Sequence, residues 1–329
     1  MNIKQIISEN PFAVFCKMLP DQLKSIWQFA GNNARCENSR SKNKSLTDIL
    51  MLTHALEKAF SLPRPRKSFG FEKANSLLNK IERFIRIFKW DDGLIVPISV
   101  LSEYIVYHKN NDSMSPEIIV LKERIDILLK SLSKESGLFN AGGAYNVEKE
   151  HLVAAGQENF ETLATNRFAV RNFSGIPVLD EVLYRAIDIA RKSPSACNRQ
   201  SYRVHVFRGG KKDELLKMQG GAKSFYDTAD SVLFISTDAN RYYTREYHLG
   251  YVDASLFAMT LMYALTYLGI ASIPLTLGIK QSILDNMKKK FSIPKNEIPV
   301  ILIAIGNYPD TFKVAMSHRN PVESFTTFH

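Results

Sequence analysis

Cysteine is scarce in this chain: Cys16, Cys36 and Cys197 are its only three in 329 residues. An odd, widely spaced set excludes a disulfide framework and fits reduced thiols in a cytoplasm. The start, "MNIKQIISENPFAVFCKMLP", lacks a long apolar run behind a basic head and lacks a cleavage site, so it does not read as a signal peptide. Catalytic signatures are missing too. There is no Gly-x-Ser-x-Gly, no His-Glu-x-x-His, no Gly-x-x-x-x-Gly-Lys loop and no strand leading into Gly-x-Gly-x-x-Gly. The seven histidines show no metal-ligand spacing.

What is present begins with charge. The net charge of +10 invites a polyanion partner, but the basic residues are scattered, with "MKKKF" and "PRPRKSF" the only tight clusters. Without paired zinc ligands or an RNP-like aromatic run, no nucleic-acid partner is expected. Solvated surface explains most of the charge, with a minority left for anionic small molecules.

Residues 254–279, "ASLFAMTLMYALTYLGIASIPLTLGI", carry no charge and are long enough to cross a bilayer. Gly269 and Pro274 break the run, and no positive cluster flanks it closely. The preferred reading is a buried helix ending near Leu268 and then an extended segment, with no membrane span.

The chain divides near residues 137–160, where "SGLFNAGGAYNVEKEH" is rich in Gly and Asn and has no clear period. We therefore expect two regions, 1–150 and 151–329. Upstream, "SLTDILMLTHALEKAF" has a broad apolar face with Ser45 or Thr47 available as a cap. "EKANSLLNKIERFIRIFKW" repeats the pattern, and "SPEIIVLKERIDILLKSL" opens with Ser115 as cap and Pro116 at the first helical position. His54, Glu57 and Lys58 on the first of these read as ordinary surface or interface, with a polar site the weaker reading. Downstream, helices and strands alternate: a helix over Val178–Lys192, "RVHVF" and "SVLFIST" as strands, the long apolar helix, a "QSILDNMKKKF" helix and "IPVILIAIGNYP" as a buried strand. The pattern predicts helices covering a central sheet, α+β or α/β.

Chemistry-bearing residues gather at "RKSPSACNRQSYRVHVF", a junction between helix and strand crowded with Ser193, Ser195, Asn198 and Gln200. Arg167 and Arg171 precede that helix and Arg319 stands near the C-terminus. Guanidinium groups fork onto phosphate oxygens, and amides and hydroxyls suit the edges of a heterocycle. A Cys197–His205 nucleophilic pair is the weaker reading, because His205 sits in an alternating strand and would pack or face away.

These pieces, in this order, resemble the FMN-dependent nitroreductase family. "NRFAVRNFSGIPVLDEVLYRAIDIARKSPSACNRQSYRVHVF" is similar to its opening. "GYVDASLFAMTLMYALTYLGIASIPL" is similar to its long buried helix and flavin-edge segment, and "IPVILIAIGNYPD" with "SHRNPVESF" to its close. The resemblance covers about residue 160 to the C-terminus. It implies an α+β fold with a mostly antiparallel sheet flanked by helices, behind an all-helical N-terminal extension. It also implies a homodimer that binds FMN, takes hydride from NAD(P)H and passes electrons to a small-molecule acceptor by a ping-pong route. Carried over to this sequence, Arg167, Ala169 and Arg171 would lie at the FMN phosphate and ribityl chain, with Arg319 closing on the phosphate. Pro194, Ser195, Asn198 and Gln200 would form the flavin cradle, reaching the cofactor of the partner subunit. Pro274, Leu275 and Thr276 would set backbone groups beside the ring. No catalytic acid or base and no metal is implied. Tyr202, Tyr242, Tyr243 and His248 could line the substrate face, although surface or core roles are the simpler reading.

Five positions depart from the family pattern. Phe168 and Ala169 stand where a basic residue and Ser are usual, Ser201-Tyr202 replaces Pro-Trp, and Ser317 occupies a common Lys position. They thin the phosphate end and leave open a second reading, a binding or scaffold protein of the same fold without efficient turnover. "THALEKAFSLPRPRKSFGFEKANSLL" is similar to the N-terminal extension of nitroreductase-like proteins of bacterial surface-polysaccharide gene clusters, which implies a setting but no substrate.

Overall fold

The computed structural model describes residues 10–32, 41–63, 69–132 and 141–329. Cys36 and most of the "PRPRKSF" cluster lie outside the described residues. The chain forms two compact units, one of Met1–Gly31 with Val147–Phe312, the other of Asn32–Asn146 with Lys313–His329. Each is built from segments distant in sequence, so a single cut near residue 150 is crossed twice. The first helix, α1 (Pro11–Asn32), falls almost wholly with the first unit and carries Pro20 in its interior.

The second unit is helical: α2 (Lys42–Phe60), α3 (Phe71–Phe88), α4 (Ile95–Asn110) and α5 (Pro116–Leu132). The predicted stripes become its core, where Ile49, Leu56, Leu77, Leu78, Ile81 and Phe84 are buried with Ile98, Leu101 and Tyr104. The start of α5 follows the sequence, with Ser115 Oγ accepting from the Ile118 amide at 3.4 Å. That of α2 does not. The helix begins three residues before Ser45, and Thr47 instead bonds back to the Asn43 carbonyl at 2.9 Å. Helix α4 was not marked by periodicity because it is apolar nearly all round and correspondingly buried. Glu57 is also not surface: it is 3% exposed, and its carboxylate accepts from the Gly143 and Ser317 amides at 3.4 and 3.3 Å.

The Gly- and Asn-rich divider contains structure as well. Strand β1 (Ala144–Glu148) leads directly into α6 (Lys149–Gln157), followed by α7 (Phe160–Thr165) and α8 (Asp180–Ala190). The upstream region is thus not entirely helical. Then come β2 (Tyr202–Arg208), α9 (Gly209–Gln219), β3 (Ser231–Asp238), α10 (Leu249–Tyr267), β4 (Ile270–Thr276), α11 (Gln281–Lys290), β5 (Glu297–Asn307) and β6 (Thr311–Ala315). Strands β2, β3, β5 and β4 lie side by side in that order, antiparallel throughout, while β1 pairs with β6. This is an α+β architecture.

All eight residues of β3 are buried, as expected of an apolar run at a sheet centre. Helix α10 is long and apolar enough to cross a membrane by composition. Here it is a core helix. Phe257, Leu261 and Leu265 pack with Leu233, Ile235, Ile303 and Ile305 of the sheet. Gly269, at φ +71°, ends it in the left-handed conformation that glycine adopts without steric cost, and β4 follows at once.

Candidate functional site

The Ser195–Gln200 junction is a wound turn. Cys197, Asn198 and Gln200 all have positive φ, at 51°, 54° and 47°. L-residues adopt this region at a cost, so something must hold them there. The Gln200 amide donates to Ser195 Oγ at 3.0 Å across the turn. The Ala196 amide donates to both carboxylate oxygens of Asp253, at 3.1 Å each. Asp253 lies in the second turn of α10 and is 3% exposed. It also accepts from the Tyr242 hydroxyl at 2.7 Å, and that hydroxyl meets Ser201 Oγ, which accepts from Thr237 at 3.0 Å. Burial raises the Tyr242 phenol above its ordinary pKa, so the hydroxyl remains a donor at neutral pH.

Arg199 locks the other side of the turn. Its guanidinium grips the Glu246 carboxylate in a two-pronged pair at 2.7 and 3.1 Å and lies over the Tyr242 ring, 4.9 Å from its centre. The pair holds the Glu246 carboxyl below the usual range. With these anchors in place, Asn198 and Gln200 stay exposed. The turn thus presents uncharged amides from a constrained backbone. Sequence reasoning missed Asp253, Arg199 and Glu246. The signal for Asp253 was available: it is the single charged residue in α10.

Arg167, Ala169 and Arg171 are placed by β4. The Val170 amide donates to the Ser272 carbonyl at 3.1 Å, so residues 167–171 run beside the strand that carries Pro274, Leu275 and Thr276. Arg171 is 4% exposed, and its guanidinium donates to the Ala169 carbonyl at 3.3 Å. Burial pushes the Tyr308 phenol up to about 12, partly offset by a hydrogen bond with Thr266 and the positive charge of Arg167. A buried guanidinium suits an anion.

The two groups of residues do not meet within one chain. Register runs from Ser272 through Ile305 and Ser231 to Arg208, whereas the junction turn adjoins Tyr202, which runs through Thr237 to Ile298. The arginines, held at Ser272, thus lie diagonally across the sheet from the Ser195–Gln200 turn, about 14 Å across the four strands and about 20 Å along them at ordinary spacings. Pro274–Thr276 lie on the same far edge strand but nearer along it: Thr276 runs through Ile301 and Ile235 to Val204, about 7 Å along from Tyr202. Arg319 belongs to the helical unit and is exposed. His205 pairs with Glu297 at 2.7 Å, which occupies its ring nitrogen. Among the described residues no cluster of His, Cys, Asp or Glu could hold a metal.

The nitroreductase family model matches residues 164–219 and 211–307. A 4-nitrobenzoate reductase of Pseudomonas putida is 33% identical over 86 residues, 26% of this chain and 37% of that protein, so the match spans well under half of the relative. Two solved structures are similar. A nitroreductase family protein of Streptococcus pneumoniae is 25% identical with a TM-score of 0.44, covering 52% of this chain and 100% of its own. One from Clostridium difficile is 24% identical with a TM-score of 0.43, covering 52% and 98%. Residues 164–307 of this chain belong to the nitroreductase family, and they contain every candidate site residue except Arg319.

Proposed function

We propose that the protein is an FMN-dependent oxidoreductase working as a homodimer in the cytoplasm. The observation that carries this reading is the split site. Two arginines sit at one corner of the sheet beside β4, whose Pro274–Thr276 segment runs along that edge, and a constrained, uncharged turn sits at the opposite corner. A ligand with an anionic end and a polar heterocycle would need both, and a second copy brings the turn of one subunit to the arginines of the other. Helix α10 leaves Tyr251, Val252 and Leu256 between 41% and 47% exposed, an apolar face for that second copy to cover.

The residues fit FMN by the chemistry of their donors. Arg167 and Arg171 would neutralise its phosphate beside Ala169. Pro194, Ser195, Asn198 and Gln200 would hold the ring edge, and Pro274, Leu275 and Thr276 would offer backbone groups. When bound, FMN supplies two-electron chemistry, accepting hydride from NAD(P)H and giving it up to a small-molecule acceptor in a separate half-reaction. The protein's contribution is to bind, orient and exclude water. The resemblance of the N-terminal helices supports a setting in surface-polysaccharide metabolism and names no acceptor.

The test is direct. Purified protein should bind one FMN per subunit, run as a dimer, and lose its yellow colour when NAD(P)H is added without oxygen. Colourless protein that leaves the fluorescence of added FMN unchanged would favour a scaffold of the same fold.

A further inference from the structure

A cavity of about 290 Å³ opens beside the junction turn, in the sheet-bearing unit. Its floor and sides come from Tyr242, Tyr243 and Tyr247, in the segment between β3 and α10, and from Ile298 of β5. Helix α1 supplies Val14 and Met18 on its half-buried side. This size is near the lower end of small-molecule sites, roughly 300–1,000 Å³.

Its chemistry is distinctive in what it omits. Among the described residues, none that lines it is charged. The Tyr242 hydroxyl is already committed to Asp253 and Ser201, and the Thr237 hydroxyl to Ser201. A charged guest would lose its hydration with no ion to replace it, a cost of several kcal/mol. An uncharged apolar guest would gain from burial against ring faces and a thioether, whose flexible, polarizable chain adapts to varied shapes. The cavity is also shaped by Gly250. A side-chain carbon there would come within 2.7 Å of Thr237 and 3.2 Å of the Tyr242 ring, so glycine keeps that wall closely packed. The roof has a built-in weak point. Pro20, two residues beyond Met18, cannot donate the helical bond to the carbonyl four residues back.

We propose that this cavity is a binding site for an uncharged, apolar small molecule, with helix α1 as its roof. The site is distinct in its chemistry from the arginine corner, and it does not require the protein to hold flavin.

The experiment uses the full-length protein labelled with ¹³C at the methionine methyls, with the Met18 signal assigned through Met18→Leu. Titration with 1-naphthol should shift the Met18 methyl saturably, while naphthalene-1-carboxylate, similar in size but anionic, should bind about tenfold or more weakly. Met18→Trp and Val14→Trp, each placing an indole in the cavity from the roof, should weaken naphthol binding at least about tenfold, measured by calorimetry. Their thermal midpoints show whether each variant is folded. The proposal is overturned if naphthol leaves the Met18 methyl unmoved up to its solubility limit. It is overturned equally if the carboxylate binds as well as naphthol, or if both folded tryptophan variants bind naphthol like the unmodified protein. FMN titrated into the same samples reports separately on the flavin reading, so either can fail without the other.

Discussion

Asp253 accepts the Ala196 amide on both of its carboxylate oxygens, 3.1 Å each, across 57 residues of sequence. A buried acid in an otherwise uncharged helix thereby fixes the entrance to a turn that L-residues resist. Removing it strands the Ala196 amide and leaves the Tyr242 hydroxyl with Ser201 alone. Asp253→Ala should destabilise the protein by about 1–3 kcal/mol, the cost of an orphaned buried group. Asp253→Asn keeps one acceptor oxygen and should cost less. Urea unfolding checks this. A loss under about 0.5 kcal/mol for Asp253→Ala would show that the turn is held by other means.

Asn198 separates conformation from chemistry. At φ 54° it occupies the left-handed region, where most side chains pay about 1–2 kcal/mol and glycine pays almost nothing. Asn198→Gly should therefore leave stability unchanged or slightly raised while removing the exposed amide. Asn198→Ala removes the same amide and adds strain. If the amide serves FMN, both variants should lose affinity to a similar extent although their unfolding midpoints differ. Affinity that follows stability instead would assign Asn198 to the turn alone.

These two residues also show what sequence reading reaches. The turn was legible because small polar residues crowd the junction of two apolar elements, and β3 was legible because an unbroken apolar run has few other places to go. Asp253 was not assigned a role. Its partner is an amide 57 positions away, and a backbone amide has no residue-type signature. Helix α4 escaped for a different reason: burial on nearly every side erases the period that marks a surface helix. The separation of Arg171 from Asn198 is a property of strand order, β2-β3-β5-β4, which no local pattern encodes.

Close packing between α6 and α10 gives a stability test with an internal control. A side-chain carbon at Gly156 would come within 2.6 Å of the Thr266 carbonyl oxygen, which is backbone and cannot swing aside. Gly156→Ala should cost about 1–3 kcal/mol despite the better helix propensity of alanine. Gly210, in the first turn of α9, has nothing within 4 Å of the same added carbon. Gly210→Ala should be neutral or gain up to about 1 kcal/mol. Thermal unfolding of the pair checks both, and equal effects would remove the steric argument.

The helical unit should be sensitive to acid through His108. Its side chain is fully buried, with the Tyr104 ring 4.4 Å away and the Tyr107 and Phe69 rings at 5.4 and 5.6 Å. Nδ1 lies 2.8 Å from Ser113 Oγ. Burial lowers its pKa below the usual value, partly offset by hydrogen bonds with the backbone of Phe69 and Ser113. In the unfolded chain an exposed histidine titrates near 6.5. As pH falls through that value the unfolded state takes up a proton that the folded state still refuses, so stability drops. The loss grows until pH passes below the folded pKa, where both states are protonated and the difference stops increasing. Hydrogen exchange of core amides in α3 and α4 should therefore quicken relative to the intrinsic rate between pH 7 and 5. His108→Asn cannot be protonated in this range and should flatten that dependence, leaving only the background of the carboxylates. An unchanged slope in a folded His108→Asn protein would place the acid sensitivity elsewhere.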